Sequence, residues 1–204
     1  TTDKLWSSVS LPYMSIGYES MITPMQILGF YNAVANDGIL LRPQFVEEIR
    51  NKGKVIQHFE PEIIDRAICS KATIDKAKKM MEGVVLNGTA RSLRSAPYTI
   101  AGKTGTARIT SGKKIRQDSL GHRASFVGYF PADNPKYSCI VVISRPSKGK
   151  IYASEVTAPV FKEISDKVYA SSLDIHQELK NEMLSFADAI PFTKPGFQKD
   201  TKKV

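Results

Sequence analysis

The feature that most restricts the fold of this chain is a series of three strand-like segments in its second half. These segments cover residues 99–109, 124–130 and 137–144, and the turn-rich stretch 131–135 joins the last two. Residues 137–143 are almost continuously apolar, which is typical of a strand covered on both faces. The pattern therefore predicts an α+β fold in which helices sandwich an antiparallel sheet.

Three other segments have the periodicity of helices that could cover such a sheet. Thr23-Pro24-Met25-Gln26 combines a cap, a first-turn proline and a capping-box glutamine, so we expect a helix that runs to Asn36. Ser70 caps a second predicted helix, and a third is expected from Ser154 to Ala170, with a bend or a late start at Pro159. The predicted apolar faces are Ile74, Ala77, Met81 and Val84 on the second helix, and Val156, Val160, Phe161, Ile164 and Val168 on the third.

The remaining segments complete the predicted organisation. Extended stretches at 44–50 and 54–59 flank Asn51-Lys52-Gly53, whose glycine suits a tight turn, so we expect a hairpin. Residues 1–172 are assigned to one incomplete domain. Residues 173–204 are expected to form a tail that is partly disordered, because the apolar pattern weakens there and the end is rich in lysine.

Composition limits the classes of function. The formal charge of +9 would suit a nucleic-acid partner, but the densest basic group, Lys113, Lys114, Arg116 and Arg123, lies in a Gly/Ser-containing loop without interleaved aromatic residues. A solvated loop is the better interpretation, so we expect no nucleic-acid partner. The two cysteines lie far apart and not in a metal-like spacing, and we expect no metal and no cofactor.

The segment with a chemical signature is Ala101-Gly102-Lys103-Thr104-Gly105-Thr106-Ala107. In a strand, Lys103 and Gly105 point to one face while Thr104 and Thr106 point to the other. Gly105 leaves room for a ligand to approach the strand. Taken alone, Lys103 is better explained as a lysine that guards a sheet edge against pairing.

Several further segments, in this order along the chain, form a pattern with that box. They are Ser15-Ile16-Gly17-Tyr18-Glu19, Thr23-Pro24-Met25-Gln26, Asn36-Asp37-Gly38, Gly88-Thr89-Ala90, residues 124–131 and Ala158-Pro159-Val160-Phe161. Together with the Lys-Thr-Gly box they resemble the penicillin-recognising serine enzymes, and most closely the monofunctional (class B) penicillin-binding proteins of the cell-division type. The resemblance covers about residues 10–170 and is more specific than one tripeptide.

The resemblance implies a peptidoglycan D,D-transpeptidase at the periplasmic face of a bacterial inner membrane. In that family a serine attacks the D-Ala-D-Ala carbonyl of a stem peptide, and the acyl-enzyme passes to an amine of a neighbouring stem; β-lactams mimic the substrate. By position, Lys103 supplies a cation, Thr104 and Thr106 offer hydroxyls to the substrate carboxylate, and the Thr106 N–H is one of two oxyanion donors. The implied substrate-binding segment is Lys103, Thr104, Gly105, Thr106 and Ala107. Division proteins are further implied partners.

One part of the family pattern is missing. The family has a Ser-x-x-Lys box and a Ser-x-Asn box before the Lys-Thr-Gly strand, and neither occurs there. Ser111-Gly112-Lys113-Lys114 and Ser147-Lys148-Gly149-Lys150 match the first box in letters, but both follow the strand in glycine-containing segments, so we interpret them as coincidental matches. The chain alone is therefore expected to be inactive. It should need the N-terminal half of the same protein as its partner.

The same absence has a consequence for the sheet. In the family, strands from before the missing boxes lie beside the strand 137–144, so the sheet is incomplete on its N-terminal side. We expect the isolated chain to be marginally stable, to dimerise, or to fold together with its other half.

The loop from Arg108 to Arg123 should lie beside the cleft because it follows the Lys-Thr-Gly strand, so it is a candidate for substrate contact rather than catalysis. His122 is interpreted as a polar surface residue of this loop. Two other functions remain open. One is a β-lactamase or β-lactam sensor. The other is a non-catalytic module that binds division partners, in which the Lys-Thr-Gly box no longer has a function. The flanking segments favour the transpeptidase, whereas the missing nucleophile suits the binding module as the activity of the chain alone.

Overall fold

The centre of the fold is a three-stranded antiparallel sheet in the order β5-β6-β7, formed by Ala101–Arg108, His122–Phe130 and Tyr137–Ser144. The computed structural model describes residues 6–18, 20, 22–109, 121–147 and 149–172. The predicted α+β fold is confirmed, and each strand lies within two residues of its predicted bounds. The other elements are α1 (Ser10–Ser15), α2 (Pro24–Ala35), β1 (Leu40–Leu41), β2 (Glu48–Asn51), β3 (Lys54–His58), β4 (Ile63–Asp65), α3 (Lys71–Leu86), a 3-10 helix (Arg91–Leu93), α4 (Ala153–Val156) and α5 (Ala158–Ser171).

Helix α2 begins at the predicted capping box. The Gln26 backbone N–H donates to Thr23 Oγ1 at 3.2 Å, and the Thr23 N–H donates to Gln26 Oε1 at 2.9 Å. Pro24 occupies the first turn, where its missing N–H has no partner to lose. The helix ends before Asp37 and Gly38, which both have positive φ values, 53° and 95°.

Helix α3 covers the same face of the sheet as α2. Ser70 caps it by accepting from the Thr73 N–H at 3.3 Å, as predicted. Ile74 is buried and the other predicted apolar positions are half-buried, while Val85 is a further buried residue of this helix. The core cluster on this side of the sheet consists of Ala35, Ala101, Tyr129 and Ala132, with Met81 packed against it.

The C-terminal helical segment differs from its prediction. The chain forms two helices, because α4 ends at Val156 and Pro159 lies in the first turn of α5. The predicted apolar face is wrong in part, since Val160 and Ile164 are exposed. The buried residues of α5 are Ala158, Phe161 and Ser165.

A polar contact explains why α5 turns a serine toward the core. Tyr98 follows the 3-10 helix, and its hydroxyl oxygen lies 2.7 Å from both Ser165 Oγ and Asp166 Oδ1, so that its one proton is shared between these two acceptors. Lys162 also pairs with Asp166 at 2.6 Å. Because a buried hydroxyl with a partner has little cost, Ser165 can occupy a position that apolar periodicity gives to another residue. Phe161 then packs on Phe126 of β6, with ring centroids 4.7 Å apart.

The predicted hairpin is present as β2 and β3, with Lys52 and Gly53 at positive φ in its turn. Sequence patterns did not indicate α1 or the short β1–β4 pair.

Among the described residues no helix combines the length and apolarity that a membrane crossing needs. By its contacts the chain divides into two compact units, 1–167 and 168–204, and the predicted tail from residue 173 lies outside the described residues.

Two glycines bring β5 and β6 unusually close together. Gly102 lies directly opposite Gly128 in the ladder. A Cβ added to Gly102 would lie 2.8 Å from Phe126 Cζ and 2.9 Å from Gly128 Cα, and still closer to the Val127 carbonyl oxygen. The neighbours are mostly backbone, so they cannot move aside easily. The glycine before the Lys-Thr-Gly box is therefore required by the packing of the two strands.

Candidate active site

The strand β5 has one open edge. Within the described residues it pairs only with β6. The Ile109 N–H donates to the Gly121 carbonyl at 3.0 Å, and the next pair of opposite residues in the β5–β6 ladder is Arg108 and His122. Backbone groups in an antiparallel ladder alternate between the partner strand and the outside, so residues 102, 104, 106 and 108 direct their N–H and C=O groups to the open edge. The Thr106 N–H thus points to the open edge.

The side chains of the box surround this edge. Lys103 and Thr106 are exposed, and Thr104 and Gly105 are half-buried. The Lys103 ammonium donates to the Thr104 carbonyl oxygen at 2.9 Å, so its charge lies at the open edge of the strand. No acidic side chain of the described residues forms an ion pair with Lys103. The ammonium is therefore available to an anionic ligand.

Two neighbours hold the threonine hydroxyls, and sequence reasoning gave neither a role. Thr89 lies just after α3, and its hydroxyl is 2.6 Å from the Thr104 hydroxyl. The Ala153 N–H, at the start of α4, donates to Thr106 Oγ1 at 3.3 Å. The signal for Thr89 was its position in the segment Gly88-Thr89-Ala90, but no local pattern connects that turn with a strand fifteen residues later.

Gly105 lies opposite a polar side chain of the neighbouring strand. A Cβ added there would lie 2.6 Å from Ser125 Oγ, on the strand opposite. The space above Gly105 is thus used by the Ser125 hydroxyl, which also donates to the Gly105 carbonyl at 3.5 Å. The glycine accommodates a cross-strand neighbour on this face.

The five predicted residues from Lys103 to Ala107 lie together because they are consecutive on β5. Ser147 lies in an exposed bend after β7, while Ser111 and most of the loop 108–123 lie outside the described residues. His122 is the first residue of β6 and pairs with Arg108, so its predicted placement in the loop was wrong.

A second concave region lies away from the box. A cavity of about 740 Å³ is bordered by α2, the segment 41–47, the end of β3 and Ser138 of β7, and no residue of β5 lines it. Ser138 accepts from Asn32 Nδ2 at 3.0 Å. This cavity is next to β7, on the side of the sheet opposite the open edge of β5.

The fold and the edge strand define the structural class of this protein. It is an α+β protein whose antiparallel sheet presents a Lys-Thr-Gly box along one open edge. The family model described as "Penicillin binding protein transpeptidase domain" matches residues 2–166. The chain belongs to this transpeptidase family.

Relatives and solved structures agree with this assignment. The chain is 31% identical to the peptidoglycan D,D-transpeptidase FtsI of Buchnera aphidicola subsp. Baizongia pistaciae over 170 residues, which are 82% of this chain and 28% of that relative. It is similar to the apo TP domain of Burkholderia pseudomallei penicillin-binding protein 3, with a TM-score of 0.65 and 29% identity over 83% of this chain and 48% of the other. It is also similar to Mycobacterium tuberculosis penicillin-binding protein 3 in complex with aztreonam, with a TM-score of 0.69 and 26% identity over 82% of this chain and 39% of the other. The chain spans between 23% and 37% of the length of these curated relatives.

Proposed function

We propose that this chain is the part of a peptidoglycan D,D-transpeptidase that forms the Lys-Thr-Gly wall of its active site. The observation that supports the proposal is the open edge of β5, where the Thr106 N–H points outward and the outward Thr104 carbonyl accepts from the Lys103 ammonium. An acyl substrate that lies along this edge would meet a hydrogen-bond donor, two hydroxyls and a cation within four residues.

The proposed reaction is an acyl transfer in two steps. A serine supplied by the N-terminal half of the protein attacks the carbonyl of the D-Ala-D-Ala bond and loses its proton to a lysine. The C–N bond breaks, the D-Ala amine leaves with a proton, and an acyl-enzyme remains. An amine of a neighbouring stem peptide then attacks the ester, which restores the serine and forms the cross-link. Both steps pass through an oxyanion that needs donors fixed in advance.

Each residue of the box has a proposed role in these steps. The Thr106 N–H donates to the oxyanion, and because it belongs to the backbone, a side-chain substitution at Thr106 does not remove it. The hydroxyls of Thr104 and Thr106 bind the substrate carboxylate, and Thr89 and Ala153 keep them oriented. Lys103 lowers the energy of the negative charge that develops beside the nucleophile.

The proposal also assigns partners and a location. Stem peptides and β-lactams are the ligands, and division proteins are the partners of the parent protein at the periplasmic face of the inner membrane. The N-terminal half would pair with the outer edge of β7. The Arg145 N–H donates to the His122 carbonyl at 2.7 Å, and successive residues of β7 direct their backbone groups alternately toward β6 and outward. Residues 138, 140, 142 and 144 therefore offer their backbone groups to such a neighbour.

Labelled penicillin tests this function in the isolated chain and in the full-length parent. We expect the parent to gain one acyl adduct in intact-mass measurements and the isolated chain to gain none, since the proposed nucleophile lies on sequence outside the chain. An adduct on Ser111 or Ser147 of the isolated chain would show that one of these matches is real.

The lifetime of the adduct separates the related functions. A long-lived adduct that is transferred to an added amine supports the transpeptidase. Rapid release to water would indicate a β-lactamase, and a parent that gains no adduct would indicate a binding module.

A further inference from the structure

One serine lies directly behind the peptide group whose N–H we assign to the oxyanion. Ser125 on β6 is opposite Gly105 on β5 in the ladder. The Gly105 carbonyl and the Thr106 N–H belong to the same planar peptide group and point in opposite directions. Since the Thr106 N–H points to the open edge, the Gly105 carbonyl points to β6. Ser125 is therefore the residue that faces the back of this peptide group.

The Gly105 carbonyl accepts from two donors of this one residue. Because the Ile109 N–H donates to the Gly121 carbonyl, every second pair of opposite residues from there exchanges two backbone hydrogen bonds, and Gly105 with Ser125 is one of these pairs. The Ser125 N–H therefore donates to the Gly105 carbonyl. The Ser125 hydroxyl is the second donor, at 3.5 Å. A carbonyl oxygen has two lone pairs, so it can accept both.

The missing side chain at Gly105 gives the Ser125 hydroxyl its place. A Cβ added to Gly105 would lie only 2.6 Å from Ser125 Oγ, so any larger residue there would displace the hydroxyl. The Ser125 side chain is half-buried, and among the described residues its hydroxyl has no second hydrogen-bond partner. The hydroxyl can therefore approach the Gly105 carbonyl more closely without breaking another bond.

A donor at the carbonyl end of a peptide group strengthens the N–H at its other end. Donation to the carbonyl oxygen increases the double-bond character of the C–N bond and the partial positive charge of the N–H. Conversely, when the N–H donates to an oxyanion, the carbonyl becomes more negative and attracts its own donors more strongly. Hydrogen bonds that assist a reaction are often long in the free protein and shorten in the transition state. The distance of 3.5 Å between the Ser125 hydroxyl and the Gly105 carbonyl fits such a bond.

We propose that Ser125 is a positioning residue for the acyl-transfer reaction, and that its hydroxyl strengthens the Thr106 N–H as an oxyanion donor through the peptide group that joins Gly105 to Thr106. This inference rests on the proposed function, because it needs an oxyanion at the Thr106 N–H. In this role Ser125 touches neither the substrate nor the nucleophile. Its loss should therefore slow the chemical step and leave the binding of the ligand unchanged.

The test follows acylation of the full-length parent over a range of penicillin concentrations. We expect Ser125→Ala to lower the acylation rate at saturating penicillin about fivefold and to leave the half-saturating concentration unchanged, since one neutral hydrogen bond is lost in the transition state. Ser125→Thr keeps the hydroxyl and should restore the rate. Infrared difference spectra with penicillin isotope-labelled at its reacting carbonyl give a second readout. The C=O stretch of the acyl-enzyme should move to higher frequency in Ser125→Ala, because a weaker oxyanion donor leaves more double-bond character in the acyl carbonyl.

Ser144→Ala is the matched control. Ser144 is an exposed serine of the same sheet, and its hydroxyl accepts from Arg123 Nε at 3.2 Å, so its loss should change neither the rate nor the frequency. Three results for Ser125→Ala would contradict the role of Ser125 while the proposed function stands: an acylation rate within twofold of the parent rate, an unchanged carbonyl frequency, or a change confined to the half-saturating concentration. A parent that gains no acyl group would contradict the proposed function, and this inference with it.

Discussion

Replacement of Lys103 by alanine in the full-length parent should lower the rate of penicillin acylation about 100-fold. The Lys103 ammonium lies at the open edge of β5, bound to the Thr104 carbonyl and free of ion pairs with described residues. A positioned cation stabilises the negative charge of the transition state, and removal of one such donor typically costs about 3 kcal/mol of barrier. The measurement is the rate at which labelled penicillin accumulates on the protein under single-turnover conditions.

Lys79→Ala provides the control for Lys103→Ala. Lys79 is exposed on α3, so its loss removes the same charge from another part of the surface and should change the acylation rate less than twofold. The unfolding midpoints of both variants should equal that of the parent, because neither lysine is buried. An acylation rate for Lys103→Ala within threefold of the parent rate would contradict the role assigned to this residue.

Gly102→Ala should strongly destabilise the domain without removing any functional group. The added methyl would overlap the Val127 carbonyl, Gly128 Cα and the Phe126 ring, and the ladder between β5 and β6 would have to shift. Overpacking of this kind costs about 3 kcal/mol when backbone must move. Because the entropy of unfolding grows with domain length, this corresponds to a fall of about 4 °C in the unfolding midpoint of the parent's transpeptidase domain, measured by scanning calorimetry.

Gly83→Ala is the matched substitution in open space. Apart from the backbone of its own helix and its chain neighbours, no atom of the described residues lies within 4 Å of the Cβ that would be added to Gly83 inside α3. Alanine favours the helix by about 1 kcal/mol over glycine, so this variant should unfold about 1 °C higher than the parent. Equal midpoints for the two variants would show that the close approach of β5 and β6 does not restrict residue 102.

The parts of the fold that the sequence predicted correctly depend on local rules. The capping box of Thr23 and Gln26, the cap at Ser70 and the glycine turn of the hairpin act within four residues, so a reader of the sequence can recognise them. The three-stranded sheet followed from alternation and from one apolar run. These signals were sufficient to place the Lys-Thr-Gly box on a strand.

The features that the sequence did not predict depend on contacts between distant residues. Ser165 is buried because Tyr98 satisfies its hydroxyl across 67 residues, which overrides the apolar period of α5. Thr89 reaches Thr104 only because α3 ends beside β5. The open edge of β5 follows from the order of strands in the sheet, and a strand's own sequence does not state whether it has one neighbour or two.

The most direct test of the account is a crystal structure of the full-length parent acylated by a penicillin. We expect the acyl carbonyl oxygen to lie about 2.7–3.1 Å from the Thr106 backbone nitrogen. The penicillin carboxylate should contact the hydroxyls of Thr104 and Thr106. An acylated ligand that makes no contact with the open edge of β5 would contradict the assignment of this strand as the wall of the active site.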